Sequence, residues 1–143
     1  MIDNMTTQDI YDFLQSHLIK PSMQRIKIFE YLITYRSHPT VDEIYNVLHP
    51  EIPSLSKTTV YNTLKLFVEK KVAIPILIEE NEIRYDADTS LHGHFKCIDC
   101  NKIFDFLISK EERDNLPSIK DFDITEHHIY LKGSCDKCKK NKA

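Results

Sequence analysis

Through the first half of the chain, apolar and polar positions alternate at helical spacing; after residue 71 the pattern shortens to strand-like runs. Ile10, Phe13, Leu14 and Leu18 line one face of a first helix, which Thr6 or Thr7 can cap and Lys20-Pro21 ends. Ser22 caps a second helix with Ile26, Phe29, Leu32 and Ile33 inward, up to a break at His38-Pro39. Thr40 and Glu43 form a capping box that opens a third helix through Ile44, Val47 and Leu48, stopped by Pro50 and Pro53. Ser56 caps a fourth, with Val60, Leu64, Phe67 and Val68 buried. Val72 to Ile78 is β-branched and apolar, with Pro75 marking an edge strand; Glu79 to Glu82 is a turn, and Ile83 to Ala87 returns as a second strand. Short helices followed by a two-stranded ribbon give the order of a winged helix-turn-helix, with helices three and four as the pair. A generic small helical bundle is the plainer alternative.

From about Asp88 the pattern changes. Phe95 to Ile98 and Ile103 to Leu107 read as short strands, and Ser109 to Leu116 as a polar helix capped by Ser109. Phe122 to Leu131 is β-rich at Ile124-Thr125 and His128 to Leu131, and Lys137 to Lys142 reads as a solvated tail. The expected class is α+β, divided into residues 1–87 and 88–143. The second segment is small for a self-sufficient core, which makes a metal staple physically reasonable.

Composition narrows the function. Apolar content of 41% supports a core. No run suits a membrane span or secretory leader, and the first twenty residues carry Asp3, Asp9 and Asp12, so the chain is expected to be cytoplasmic with no membrane role. A net charge of −3 argues against nucleic-acid binding by the chain as a whole. Locally the balance reverses: Lys20, Arg25, Lys27 and Arg36 face only Glu30, and Lys57, Lys65, Lys70 and Lys71 face only Glu69.

In such a chain two Cys-x-x-Cys pairs, Cys97/Cys100 and Cys135/Cys138, suit a metal better than disulfides. Four thiolates close the tetrahedron of Zn²⁺ and leave no open position, so the site is structural; an iron–sulfur cluster is permitted by the ligand set alone. Asn101 tolerates the left-handed turn of a knuckle, and Gly133 is expected to serve the second. Upstream, His92 and His94 at spacing two put both rings on one side of a strand. Asp86 ends the ribbon. Asp105 lies between Phe104 and Phe106, where a buried carboxylate without a partner would be costly. These imidazoles and carboxylates make a second site of harder chemistry. His17 and His49 are expected to face solvent.

The residues Lys20-Pro-Ser-Met-Gln-Arg25, His38-Pro-Thr40, Lys57-Thr-Thr-Val-Tyr61, Arg84-Tyr-Asp86, His92-Gly-His94-Phe-Lys-Cys97-Ile-Asp-Cys100 and Lys102-Ile-Phe-Asp-Phe106, with the paired knuckles, occur in an order that resembles the ferric uptake regulator (Fur) superfamily over essentially the whole chain. The resemblance implies a homodimeric, metal-dependent repressor of double-stranded operator DNA rather than an enzyme. Residues 1–87 would be the winged-helix DNA-binding domain and 88–143 the metal-binding dimerisation domain. The chain is most similar to the peroxide-responsive (PerR) branch, whose regulatory ligands fall on His38, Asp86, His92, His94 and Asp105. Iron-uptake members usually carry glutamate where Asp86 and Asp105 stand, and arginine where Asn62 stands. A further site of theirs is broken here by Leu91 and Gly93, which leaves Glu112 and His127 without an assigned role. Asn101 departs from the usual glycine after the first knuckle.

Three imidazoles and two carboxylates suit Fe²⁺ or Mn²⁺ and leave one octahedral position open. By resemblance, peroxide acting on the iron form oxidises His38 or His92 to 2-oxo-histidine and releases DNA, while the manganese form holds DNA. The fourth helix would offer Lys57, Thr58, Thr59, Tyr61 and Asn62 to base edges, with Arg25 and Lys65 as phosphate anchors. A core position is the alternative for Tyr61, and the acidic turn Glu79 to Glu82 is expected to point away from DNA. Three rivals stay open. One is a family member sensing iron, manganese, nickel or zinc levels. Another is a non-haem iron enzyme built on two histidines and a carboxylate. The last is a zinc-stapled interaction module without a DNA role, which leaves the Lys57 to Asn62 helix unexplained.

Overall fold

The computed structural model describes residues 4–142, which fall in two compact units, Met1–Thr89 and Ser90–Ala143. The first unit runs α1 (Thr7–Ser16), α2 (Met23–Thr34), α3 (Val41–Leu48), α4 (Lys57–Glu69), β1 (Ile74–Ile76) and β2 (Arg84–Asp86). Each helix starts where a side chain satisfies the exposed amides of its first turn. Thr6 and Asp9 form a reciprocal capping box at α1, Ser22 caps α2, Thr40 and Glu43 form a second box at α3, and Ser56 caps α4. The helices close on Ile10, Leu14, Ile28, Phe29, Ile44, Val60, Leu64 and Phe67, all fully buried. The Phe29 ring stacks near Phe13 at 5.2 Å and meets Phe67 edge-on at 5.6 Å. The ribbon is antiparallel, with Ile74 opposite Asp86 and Pro75 opposite Tyr85. A two-stranded ribbon has only edges, so Pro75 costs it no interior ladder bond.

Some expected positions shift, the clearest of them where a helix ends earlier than its apolar pattern does. Leu18 is 81% exposed, not buried. It occupies a left-handed position (φ 61°), with its amide donating to the Gln15 carbonyl and the Ile19 amide donating to Leu14. This Schellman closure reverses the chain and gives the core place to Ile19. Lys71 (φ 61°) closes α4 in the same way, with Val72 donating to Phe67, so Val72 and Ala73 lie ahead of β1 rather than in it. The whole sequence has two glycines, and neither takes a positive φ; side-chain-bearing residues carry these turns instead. Val47 is 49% exposed because α3 is too short to bury a second stripe, and Ile28 and Thr63 hold inward places that the periodicity did not assign. His17 and His49 are half-buried rather than solvated. The His17 ring nitrogen lies 2.9 Å from the Phe13 carbonyl, and the His49 ring stacks on Tyr45.

The second unit runs β3 (Gly93–Cys97), β4 (Ile103–Phe106), α5 (Lys110–Asp114), β5 (Tyr130–Gly133) and α6 (Asp136–Asn141). Its sheet has the order β4-β3-β5, antiparallel between β3 and β4 and parallel between β3 and β5. A parallel neighbour demands a long crossover, which residues 107–129 supply, with α5 capped by Ser109 and Glu112 inside it. The expected strand at Ile124-Thr125 is absent, and pairing begins only at Tyr130, where a partner edge is available. The lysine-rich end is not a bare tail: Asp136–Asn141 is helical, with Cys135 at its N-cap. No helix among the described residues is long and apolar enough to cross a membrane.

Gly93 pairs with Phe106 across the sheet, and a Cβ at Gly93 would fall inside the Phe106 ring. Gly93→Ala should therefore displace that ring and cost on the order of 1–3 kcal/mol in a urea melt of the zinc-loaded protein; a loss within experimental error would contradict this packing.

Candidate metal centres

The four cysteines converge because β3 delivers Cys97, the following turn delivers Cys100, and the start of α6 delivers Cys135 and Cys138. Asn101 (φ 63°) makes the left-handed turn, donating its amide to the Cys97 carbonyl. Gly133 needs no such freedom: it sits in β5 beside the Phe95 ring, which corrects its expected role as a turn residue. All four sulfurs lie within 4.8 Å of one another, with Cys100 and Cys135 at 3.9 Å. A tetrahedron with Zn–S bonds near 2.3 Å has edges of about 3.8 Å, so the cluster fits a structural zinc. Its electrostatics also call for a cation. Burial opposes ionisation of Cys97, yet amide donors, chiefly from Cys100 and Cys135, outweigh it and hold that thiol down to about 6. Cys138, hydrogen-bonded to Cys135 and desolvated, is pushed up to about 12. One thiolate forms readily and the last resists; a divalent ion removes that resistance. A clasp joins the knuckles from outside: Ser134 donates to Asp99 (2.6 Å), and Lys142 lies 3.0 Å from Asp99 and donates to Ser134 (3.1 Å). The sequence offered no sign of this clasp, because its members meet only after the knuckles do.

Each unit carries harder donors of its own. In the first unit, His38 and Asp86 are both buried, with His38 Nε2 3.6 Å from Asp86 Oδ2. The backbone poses both. His38 is left-handed (φ 55°), and the Asp88 amide donates to Asp86 Oδ1. In the second unit, His92 and His94 are buried with ring centroids 4.5 Å apart. Their Nε2 atoms lie 3.5 and 3.3 Å from Asp105 Oδ1. His92 Nδ1 is 2.8 Å from the Ser90 carbonyl, which fixes the proton on that nitrogen and turns Nε2 into the acceptor a metal needs. The burial argument for Asp105 is corrected: its side chain is 40% exposed, and what singles it out is the two imidazoles it faces across β3 and β4. Imidazole and carboxylate suit a regulatory divalent metal, in contrast to the soft thiolate cluster.

On α4, the same periodicity that buries Val60, Leu64 and Phe67 leaves Lys57, Thr58, Tyr61, Asn62 and Lys65 on the outside. Tyr61 is 48% exposed, so it is not a core aromatic. Thr59 is half-buried, its hydroxyl 2.9 Å from Ser56 Oγ. Lys20, Arg25, Thr59, Asn62 and Lys65 line one open groove of about 660 Å³ between the start of α2 and α4. Lys57 stands apart from the groove: it pairs with Asp42 at 3.2 Å and lies over the Tyr45 ring. Arg25 donates to the Lys20 carbonyl (2.8 Å), which holds its guanidinium at the groove.

Residues 16–132 match the model of the "Ferric uptake regulator family". The chain is 37% identical to the peroxide-responsive repressor PerR of Staphylococcus epidermidis over 85% of its own length and 82% of that protein's. It is 36% identical to PerR of Staphylococcus aureus over 84% and 82%. Among solved structures, the ferric uptake regulator of Helicobacter pylori shares its fold with a TM-score of 0.74 at 20% identity, covering 94% of this chain and 95% of that one. PerR of Streptococcus pyogenes, a peroxide-sensing gene regulator, gives a TM-score of 0.53 at 28% identity, covering 92% of each.

Replacing a thiolate should show what the zinc holds up. Cys97→Ser is expected to abolish stoichiometric zinc and the near-UV circular dichroism of the second unit together. Full zinc content with a wild-type near-UV spectrum would contradict the structural role.

Proposed function

The chain belongs to the ferric uptake regulator family, and from that premise we propose that it is a metal-dependent DNA-binding repressor that senses peroxide through oxidation of a ligating histidine. The observation that carries this reading is the set of three buried imidazoles, each within 3.3–3.6 Å of an aspartate. We take His38 and Asp86 as one half of a regulatory site and His92, His94 and Asp105 as the other. One Fe²⁺ or Mn²⁺ ion shared by the two halves would tie the DNA-reading unit to the second unit. Metal affinity and operator affinity are then linked reciprocally, by about 1–3 kcal/mol in typical cases. Aspartate at both carboxylate positions and Asn62 on α4 support the peroxide branch over iron-uptake regulators.

The DNA half of the proposal rests on α4. Tyr61 and Asn62 stand exposed for base edges, and the groove with Arg25 and Lys65 suits backbone phosphate. Homodimer formation fits the second unit, where Leu107, Ile119, Phe122 and Leu131 are exposed apolar residues and, among the described residues, β4 and β5 are the edge strands of the sheet. Half-sites about one helical turn apart would then meet two copies of α4. Such a role calls for a cytoplasmic location and for no turnover of substrate.

When bound, Fe²⁺ supplies the electrons that turn peroxide into a local oxidant. The chain's part is to hold His38 and His92 beside that oxidant and to lose grip once a ring gains oxygen, since 2-oxo-histidine is a poor ligand. In the test, operator binding is measured on zinc-loaded protein with Mn²⁺ or Fe²⁺, before and after peroxide, with peptide mass spectrometry. The expected result is release only of the iron form, with one added oxygen on His38 or His92. Release with neither histidine oxidised would reject histidine sensing, and metal-dependent binding indifferent to peroxide would mark a sensor of metal level.

A further inference from the structure

We propose that Arg84 is the positioning residue of the regulatory site: its guanidinium holds the His38 backbone in the pose that presents the ring, and ties that pose to the first turn of α3. The inference rests on the reading of His38 and Asp86 as regulatory ligands. His38 carries an imidazole on a left-handed backbone, a conformation that costs a non-glycine residue free energy and persists only where its surroundings enforce it. The enforcing contacts come from β2. The Tyr85 amide donates to the Pro39 carbonyl at 3.0 Å, Thr40 forms an isolated bridge with Arg84, and Arg84 Nη1 donates to the His38 carbonyl at 3.1 Å.

The Arg84 side chain is 14% exposed, and its charge is answered twice. Nε donates to Glu79, and Nη1 lies 3.7 Å from Glu43 Oε1. Glu43 is also the carboxylate of the α3 capping box, whose other oxygen accepts from the Thr40 amide at 3.4 Å. One planar fork thus serves the ligand-bearing turn, the wing turn and the start of the helix-turn-helix. Arg84 and Asp86 stand two apart on β2, so they share a face of the strand. Asp86 meets the His38 ring from that face while Arg84 holds the His38 main chain. A lysine at 84 would keep one charge but has no fork with which to reach all three acceptors.

Arg84→Lys and Arg84→Gln are compared with wild type and with Thr40→Ala in the full zinc-loaded chain. Zinc content, the thermal transition and Mn²⁺ affinity by calorimetry are the readouts. Thr40→Ala weakens the α3 cap without removing the His38 contact, and so reports a merely structural loss. The expectation is roughly tenfold or greater loss of Mn²⁺ affinity in both Arg84 variants, as second-layer partners of metal ligands typically show. Zinc content should stay stoichiometric, and Thr40→Ala should lower the transition while binding Mn²⁺ as wild type does. If Arg84→Gln does not fold, Arg84→Lys decides alone, because it retains the charge that Glu79 and Glu43 require. Mn²⁺ affinity within twofold of wild type in the folded variants overturns the inference, as does an equal loss in Thr40→Ala. Failure of wild type itself to take up Mn²⁺ overturns the regulatory-site reading beneath it, and the two failures are told apart by that first measurement.

Discussion

Among the described residues of the second unit, the buried side chains are His92, His94, Cys97, Ile108 and Cys135, so only one of them is pure hydrocarbon. Folding there cannot draw on apolar burial to the extent that the first unit does, with its stacked Phe13, Phe29 and Phe67. Cohesion depends on what binds the thiolates and the imidazoles. A zinc ion satisfies the first demand and a regulatory ion the second, and the two are separated by softness: four sulfurs on one side, nitrogen and oxygen on the other. One ion can therefore be permanent while the other exchanges.

The same division bears on where the proposed sensing would reside. The sulfurs sit in a closed tetrad fixed by amide donors and by the Asp99–Ser134–Lys142 clasp, which suits permanence. The imidazoles sit on β3, just ahead of it and on one strained turn, posed by neighbouring carbonyls and carboxylates rather than by a dense core. A left-handed His38 held by Arg84 is a conformation that the first unit maintains against its intrinsic preference, as sites for ligands often require. Its link through Glu43 to α3 would give occupancy of the proposed site a physical route toward the helix-turn-helix within one unit.

Much of this is legible in the sequence itself, and for local reasons. Caps at Thr6, Ser22, Thr40, Ser56 and Ser109 act within one turn, so their residue types announce the helix starts. The doubled Cys-x-x-Cys spacing and the His92/His94 pair likewise carry their chemistry in sequence. What escaped depends on distant partners. Leu18 continued an apolar stripe but became the reversal residue once Ile19 could reach the core. β5 forms only where β3 offers an edge, and α6 only where Cys135 is drawn to Cys97. Asp105 invited attention for an expected burial that it lacks, yet it faces two imidazoles. Arg84 stood in a recognised motif with no hint of the three acceptors that surround it.

The central proposal is that one regulatory ion takes His38 together with His94 as ligands, and that its occupancy sets operator affinity. The most direct measurement is operator binding against Mn²⁺ concentration for zinc-loaded wild type, His38→Ala, His94→Ala and the double variant. The account predicts that either single change abolishes the Mn²⁺ dependence and that the double change adds nothing. Retention of a wild-type Mn²⁺ dependence by either single variant would contradict it.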